Sequence, residues 1–318
     1  MSCLYLTEAD VKELLDVRTA IDLVEEAFRR LAAGEAVNVP RQRAVSPEII
    51  LHSMSAAAPY LNVVGWKCYT TTRGAATFHV GLYEQATGKL AALIEADYLG
   101  RLRTGATTAV AIGWMALPET TEVGLFGTGR QAEAQLSAAV AARPIKRAFI
   151  YSRDSARRTA FAEKMSESLS IEVLPVDRPQ DAAEDLPLVI TATTSHQPVF
   201  DGGTLAEGAL VCAVGSNWLT RAEIDSTVIR RADNIVCDSV IACRAEAGDF
   251  ADALQKGIFD WARAVDLAEV VAGRAVGRNT KESICLFKSV GLAIEDLALG
   301  AHLLHLARER GLGTQLPI

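Results

Sequence analysis

The chain has 318 residues, of which half are hydrophobic and 22% charged, a composition that excludes a disordered or fibrous protein and a length that suits two domains. Its net charge of −7 gives no support for binding nucleic acid or an anionic membrane surface, so any basic site must be local. The six cysteines contain no C-x-x-C pair and sit mostly in apolar segments, where reduced core thiols explain them better than disulfides or zinc.

The opening MSCLYLTEADVKELLD lacks the basic start and unbroken apolar segment of a secretory signal, so the expected location is cytoplasmic. Thr7 is expected to cap a helix that carries Val17, Ala20, Ile21, Val24, Phe28 and Leu31 at helical spacing until Gly34 stops it. From there the pattern turns to strands, at Ile49–Met54, Asn62–Thr70, Thr77–Glu84 and Lys89–Glu95, with a hairpin turn around Ala86-Thr87-Gly88. Arg41, Arg43, Lys67 and Arg73 interrupt these otherwise apolar or small-residue stretches. Lys67 follows Val63-Val64-Gly65-Trp66 and precedes Cys68-Tyr69. Two readings are open for it: a desolvated ammonium with a lowered pKa that handles protons, or a packed stem whose head reaches water. Arg103 is placed by its context at the start of an apolar helix, and two readings are open for it: its fork and the free N–H groups together hold a carboxylate or phosphate, or it forms an ordinary surface ion pair.

Thr121–Ala142 reads as a strand, a glycine turn and a helix. Gly127-x-Gly129-x-x-Ala132 matches the dinucleotide fingerprint: the first glycine permits the tight turn, the second lets a pyrophosphate approach the backbone, and Ala132 lets helix and strand pack closely. A second strand at Arg147–Tyr151 ends on Ser152-Arg153-Asp154. A small polar residue followed by arginine favours the 2′-phosphate of NADP(H), while Asp154 next to it leaves NAD(H) open. Further strands at Ile171–Val176, Leu188–Thr193, Leu210–Gly215 and Ile235–Asp238 alternate with helices and loops, which predicts a doubly wound parallel sheet. Ligand residues are then expected just past the strand ends, at Thr193-Thr194, Gly215-Ser216-Asn217 and Asp238. His196 follows one such end but is more simply a solvated loop histidine.

The most apolar long run, Ser289–Ala307, contains Glu295 and Asp296, so a buried helix is expected there rather than a membrane span. A short strand at Ile284–Phe287 precedes it. His302 and His305 lie one turn apart without a third partner, and no metal site is expected.

Several segments together, Gly65-Trp66-Lys67, Tyr83–Gly88, Leu102–Ala106, GLFGTGRQA, TATTS, AVGS, Glu223-Ile224-Asp225 and FKSVGLAIEDLA, resemble the ornithine cyclodeaminase/μ-crystallin family of NAD(P)-dependent enzymes over nearly the whole length. The resemblance implies an α/β protein in which a Rossmann-type doubly wound domain, residues 116–289, accompanies an α+β substrate-binding and dimerisation domain, residues 1–115 completed by 290–318. By the same resemblance Arg43, Lys67 and Arg103 grip the α-carboxylate and the reacting imine or amine, with Val290 closing over the substrate and Ser289 over the nicotinamide. Gly127, Gly129, Arg130 and Gln131 match pyrophosphate contacts. Ser152 and Arg153 match the adenosine-ribose end, and Thr193 with Val214, Gly215, Ser216 and Asn217 the middle and nicotinamide end. Cyclodeaminases of the family carry an aspartate, as general acid/base, where this chain has Asn217. An amide exchanges no proton at neutral pH, so the expected activity is an NADP(H)-preferring imine reductase or amino-acid dehydrogenase acting on a small imino or amino acid. The alternatives are an ornithine-to-proline lyase with recycled NAD and a crystallin-like NADPH-binding protein without turnover. A homodimer is expected, with no nucleic-acid or membrane partner.

Overall fold

The structure is a computed structural model and describes residues 3–317. The chain divides into two compact units, one formed by residues up to Ala106 together with those from Gly291 onward, the other by Thr107–Val290. The division point falls inside the helix Asp97–Met115.

The first unit is built on a seven-stranded sheet. Its strands are β1 (Cys3–Leu6), β2 (Val37–Val45), β3 (Ile50–Ala58), β4 (Val63–Thr71), β5 (Ala76–Glu84), β6 (Leu90–Glu95) and a C-terminal strand Thr314–Leu316. The C-terminal strand lies at one edge, followed by β1, β6, β5, β4, β3 and β2, and every pairing is antiparallel except β1 with β6. The expected strands are present, with β3 running on to Ala58. β1, β2 and the C-terminal strand are additions to the expected set. β2 is disguised by Pro40, Arg41 and Arg43. Its register shifts between Val39 and Gln42, and such a bulge is where a sheet tolerates a residue with no N–H to donate.

The expected single N-terminal helix is two, Glu8–Leu14 and Val17–Ala32. Leu15 is extended, and the Asp16 carboxylate starts the second helix by accepting from the N–H groups of Arg18 and Thr19, the ordinary action of an N-cap. The helix Ala293–Arg310 lies on the inner face of β3, β4 and β5. It comes close because Gly300 faces Val80, Leu82 and Ile94. The outer face leaves Val37, Val39, Leu51, Val64 and Tyr83 exposed.

The second unit is a parallel sheet of eight strands: β7 (Glu122–Phe126), β8 (Arg147–Tyr151), β9 (Glu172–Pro175), β10 (Leu188–Thr191), β11 (Leu210–Ala213), β12 (Asn234–Cys237), β13 (Ala264–Asp266) and β14 (Cys285–Lys288). Their order is β13-β12-β14-β11-β10-β7-β8-β9. The chain leaves β7 towards β8 and β9, then returns to start β10 on the other side. That reversal is a topological switch point, where an open parallel sheet receives its ligand. This is an α/β fold of Rossmann type. Among the described residues no helix is long and apolar enough to cross a membrane, and all six cysteines are unpaired.

Candidate functional site

In the first unit the pleat sends alternate side chains of β4 inward, so Lys67 shares a face with Tyr69. Lys67 stands opposite Met54 and Val80, and Tyr69 opposite His52 and Phe78, while Arg43 faces His52 from β2. Helix Ala293–Arg310 brings two carboxylates onto this face. Asp296 Oδ1 lies 2.6 Å from Lys67 Nζ and 3.3 Å from Arg103 Nε, and Glu295 Oε2 lies 2.7 Å from the Arg103 guanidinium. Lys67, Arg103, Glu295 and Asp296 are all buried. Arg41 is buried too and donates to the Gly291 carbonyl at 3.5 Å. Arg103 packs on the same residue so closely that a Cβ at Gly291, whose φ is +84°, would lie 2.5 Å from its guanidinium. The positive φ is what favours glycine there.

The electrostatics follow from this placement. Burial pulls the Lys67 ammonium down to about 8, helped by the like charges of Arg103 and Arg41 and opposed by Asp296. Burial also works against charge on Arg103, yet the Asp296 and Glu295 carboxylates outweigh it and push that guanidinium up. His52 is brought down to about 4 by burial and then by Arg43 and Arg41, so it is neutral at physiological pH. Its ring stacks on Tyr69 at 4.1 Å and 5°, and Nε2 lies 3.0 Å from the Thr71 hydroxyl. Lys67 sits 5.7 Å from the centre of the Phe78 ring. The head of Lys67 does not reach water: the residue is buried.

One expectation is corrected here. Arg103 lies in the second turn of the helix Asp97–Met115, not at its start. The N–H groups at that start are taken by Glu8, whose carboxylate accepts from Asp97 at 2.6 Å and Tyr98 at 3.1 Å. Arg103 therefore stands beside Glu295 and Asp296 rather than at a helix terminus.

In the second unit β7 ends at Phe126 and Gly127 turns with φ +113°. A Cβ there would meet the Ala192 carbonyl at 2.5 Å, just past β10. Gly129 precedes the helix Arg130–Ala142, no side chain caps that helix, and the place a Gly129 Cβ would occupy is open. A first turn without a side-chain cap beside open space suits a phosphate, whose charge the helix dipole favours. Arg130 is exposed and Gln131 half-buried at that turn. Beyond β8, Ser152 is half-buried and Arg153 exposed. Asp154 is the N-cap of Ser155–Leu169, its Oδ1 accepting from the Arg157 N–H at 3.0 Å. Arg158 donates to the Ser152 carbonyl and pairs with Asp177.

Thr193 follows β10, and Val214, Gly215, Ser216 and Asn217 follow β11. Past β14, Ser289 Oγ and the Val290 N–H both donate to Asp238 Oδ2, at 2.9 and 2.7 Å. His196 is exposed, and His305 lies 3.3 Å from Glu309. Residue types alone did not point to Glu295, Asp296, His52, Glu223, Asp249 or Lys288. The available clue was a charge inside an apolar run, which Glu295, Asp296 and Lys288 all are.

The family model described as the ornithine cyclodeaminase/mu-crystallin family matches residues 2–310. A Δ(1)-pyrroline-2-carboxylate reductase of Bacillus cereus is 32% identical over 239 residues, 74% of this chain and 73% of that protein. The solved Δ(1)-pyrroline-2-carboxylate reductase of Thermococcus litoralis, in complex with NADH and L-proline, superposes with a TM-score of 0.94 at 31% identity, covering 98% of this chain and all of that one. An archaeal alanine dehydrogenase dimer with bound NAD gives a TM-score of 0.94 at 27% identity, with both chains covered completely.

Proposed function

The chain belongs to the ornithine cyclodeaminase/mu-crystallin family, and we propose on that premise that it is an NAD(P)-dependent reductase of small α-imino acids, able to run in reverse as an amino-acid dehydrogenase. The observation that carries this reading is the buried set of Lys67, Arg103 and Asp296. Arginine forks match a carboxylate, and Arg43 and Arg103 are assigned to the substrate α-carboxylate. Lys67, pulled down to about 8, is assigned to the proton on the substrate nitrogen, since a group near the working pH gives and takes a proton with least cost. Asp296 fixes the ammonium by its 2.6 Å contact. Val290 is assigned to the wall closing over the substrate.

The dinucleotide, when bound, supplies or accepts the hydride at the substrate's imino carbon. Gly127, Gly129, Arg130 and Gln131 are assigned to its pyrophosphate, Ser152 and Arg153 to the adenosine ribose, and Thr193, Val214, Gly215, Ser216 and Asn217 to the nicotinamide half, with Ser289 over it. The preference assigned is NADP(H). Asp154 caps a helix with the carboxylate that an NAD enzyme would offer the ribose, and Arg153 is exposed beside Ser152, as a 2′-phosphate requires. Asn217 argues against the cyclodeaminase reaction, which needs a proton carrier at that position. A homodimer through the outer face of the first unit's sheet would cover the exposed apolar side chains Val37, Val39, Leu51, Val64 and Tyr83. Unpaired, mostly buried cysteines suit a reducing cytoplasm.

The test is a screen of NADPH and NADH against Δ1-pyrroline-2-carboxylate, piperideine-2-carboxylate and pyruvate with an amine. The reading predicts oxidation of NADPH with at least one of them. Release of ammonia from ornithine without net absorbance change would replace it with the lyase, and tight NADPH binding with no turnover would replace it with a binding protein.

A further inference from the structure

Glu223 lies between β11 and the helix Ser226–Arg231 and is fully buried. Its carboxylate takes four donors. Oε1 accepts from the Thr193 N–H at 2.6 Å and the Thr193 hydroxyl at 2.7 Å; Oε2 accepts from the Gly215 N–H at 2.6 Å and the Thr191 hydroxyl at 3.0 Å. Thr191 ends β10, Thr193 lies just beyond it, and Gly215 lies just beyond β11. One side chain thus ties together the C-terminal ends of two adjacent strands. The fit is close, since a Cβ on Gly215 would lie 2.4 Å from Oε1 and from the Thr193 backbone.

A second layer holds Glu223 itself. Its N–H donates to Asp249 Oδ1 at 2.6 Å, Asp249 Oδ2 lies 2.7 Å from Lys288 Nζ, and Lys288 Nζ donates to the Ser216 carbonyl at 2.8 Å. Asp249 and Lys288 are buried as well. The loop after β11 is therefore pinned twice, at Gly215 by a carboxylate and at Ser216 by an ammonium. Three buried charges are costly unless paired and hydrogen-bonded, and here all of them are spent on two loops. The sequence offers Glu223 only as part of Glu223-Ile224-Asp225; Asp225 is accounted for as the cap of the helix that follows.

We infer that Glu223, backed by Asp249 and Lys288, is a positioning residue that holds these two loops in the shape that receives the nicotinamide half of the dinucleotide. This rests on the reading that the second unit binds the dinucleotide. Glu223→Gln keeps the size of the side chain but, whichever oxygen the NH2 replaces, turns it towards one hydroxyl and one backbone N–H, which cannot accept.

The experiment titrates wild type and Glu223→Gln by calorimetry with NADPH, NADH and the matching nicotinamide-free fragments, 2′-phospho-ADP-ribose and ADP-ribose. The preferred dinucleotide should bind about tenfold more weakly to the variant, while its fragment changes by less than about twofold. Amide exchange at Thr193 and Gly215 should quicken in the ligand-free variant. Equal weakening of fragment and dinucleotide, or no change in either, overturns the inference. Wild type that binds neither dinucleotide overturns the underlying reading instead. If Glu223→Gln shows no cooperative thermal unfolding, Thr191→Val, which removes one of the four donors, is judged by the same ligands and the same criteria.

Discussion

Each unit buries a lysine against an aspartate at nearly the same distance, 2.6 Å for Lys67 with Asp296 and 2.7 Å for Lys288 with Asp249, yet the two ammonium groups move in opposite directions. Burial opposes charge on both. Around Lys67 the remaining neighbours are the cations Arg103 and Arg41, and the ammonium falls to about 8. Around Lys288 the further neighbours include Glu223, Cys243 and the Ser216 carbonyl, and the ammonium is pushed up. An ion pair alone does not decide whether a buried lysine is a proton carrier or a fixed charge; the next ring of charges does.

Removing each lysine separates the two roles, and the larger effect is expected at Lys67. Lys67→Met should lower kcat/KM for imine reduction by about 10²–10⁴-fold, with dinucleotide binding by fluorescence titration little changed. Lys288→Met should act on stability instead. It leaves Asp249 buried without its partner, and losses of this kind run to about 3–5 kcal/mol, read from urea denaturation midpoints. Were Lys67→Met to keep its activity, or Lys288→Met its stability, the distinction between carrier and fixed charge would fall.

The pH dependence sharpens it. On the role proposed for Lys67, reduction needs its ammonium protonated, so log kcat/KM should fall as pH rises through about 8, and the reverse oxidation should rise through the same value. Stability carries the matching sign. Lys67 has a folded value below its unfolded one, so between those values the unfolded chain binds more protons and stability should climb with pH. Lys288 has a raised folded value. Its contribution is present below its unfolded value, about 10.4, and is lost only as pH rises through the higher folded value, so it adds no slope near neutrality. Asp296→Asn removes the carboxylate that supports the Lys67 charge. The limb of the reduction profile should then move to lower pH by about one to three units, measured as kcat/KM against pH.

How far these features could be read in advance depended on how local they are. Strand β8 occupies Arg147–Tyr151 as expected, and the Gly127–Gly129 turn stands where its spacing put it, because strand, turn and helix are specified by neighbouring residues. Val37–Val45 was hidden by Pro40 and two arginines whose place in a sheet depends on a bulge and a partner strand. Lys67 and Arg103 stood out as charges among apolar residues. Asp296 registered only as a reason against a membrane span, since its pairing with Lys67 crosses 229 positions of chain and exists only once the last helix lies on the sheet. Glu223 gave still less notice: its four donors come from two strand ends that the parallel sheet makes adjacent.

The smallest expected effect tests the like-charge part of the comparison. Arg41 is buried on the same face as Lys67, donates to the Gly291 carbonyl, and is the weaker of the two cations that depress the Lys67 ammonium. Arg41→Gln keeps a donor for that carbonyl and removes the charge. The limb of the reduction profile should then move to higher pH, opposite to Asp296→Asn, by less than about one unit because Arg103 and burial remain. The sign is the informative part. A downward shift, or none, would mean that Arg41 adds nothing to the depression and that burial and Arg103 set Lys67 apart.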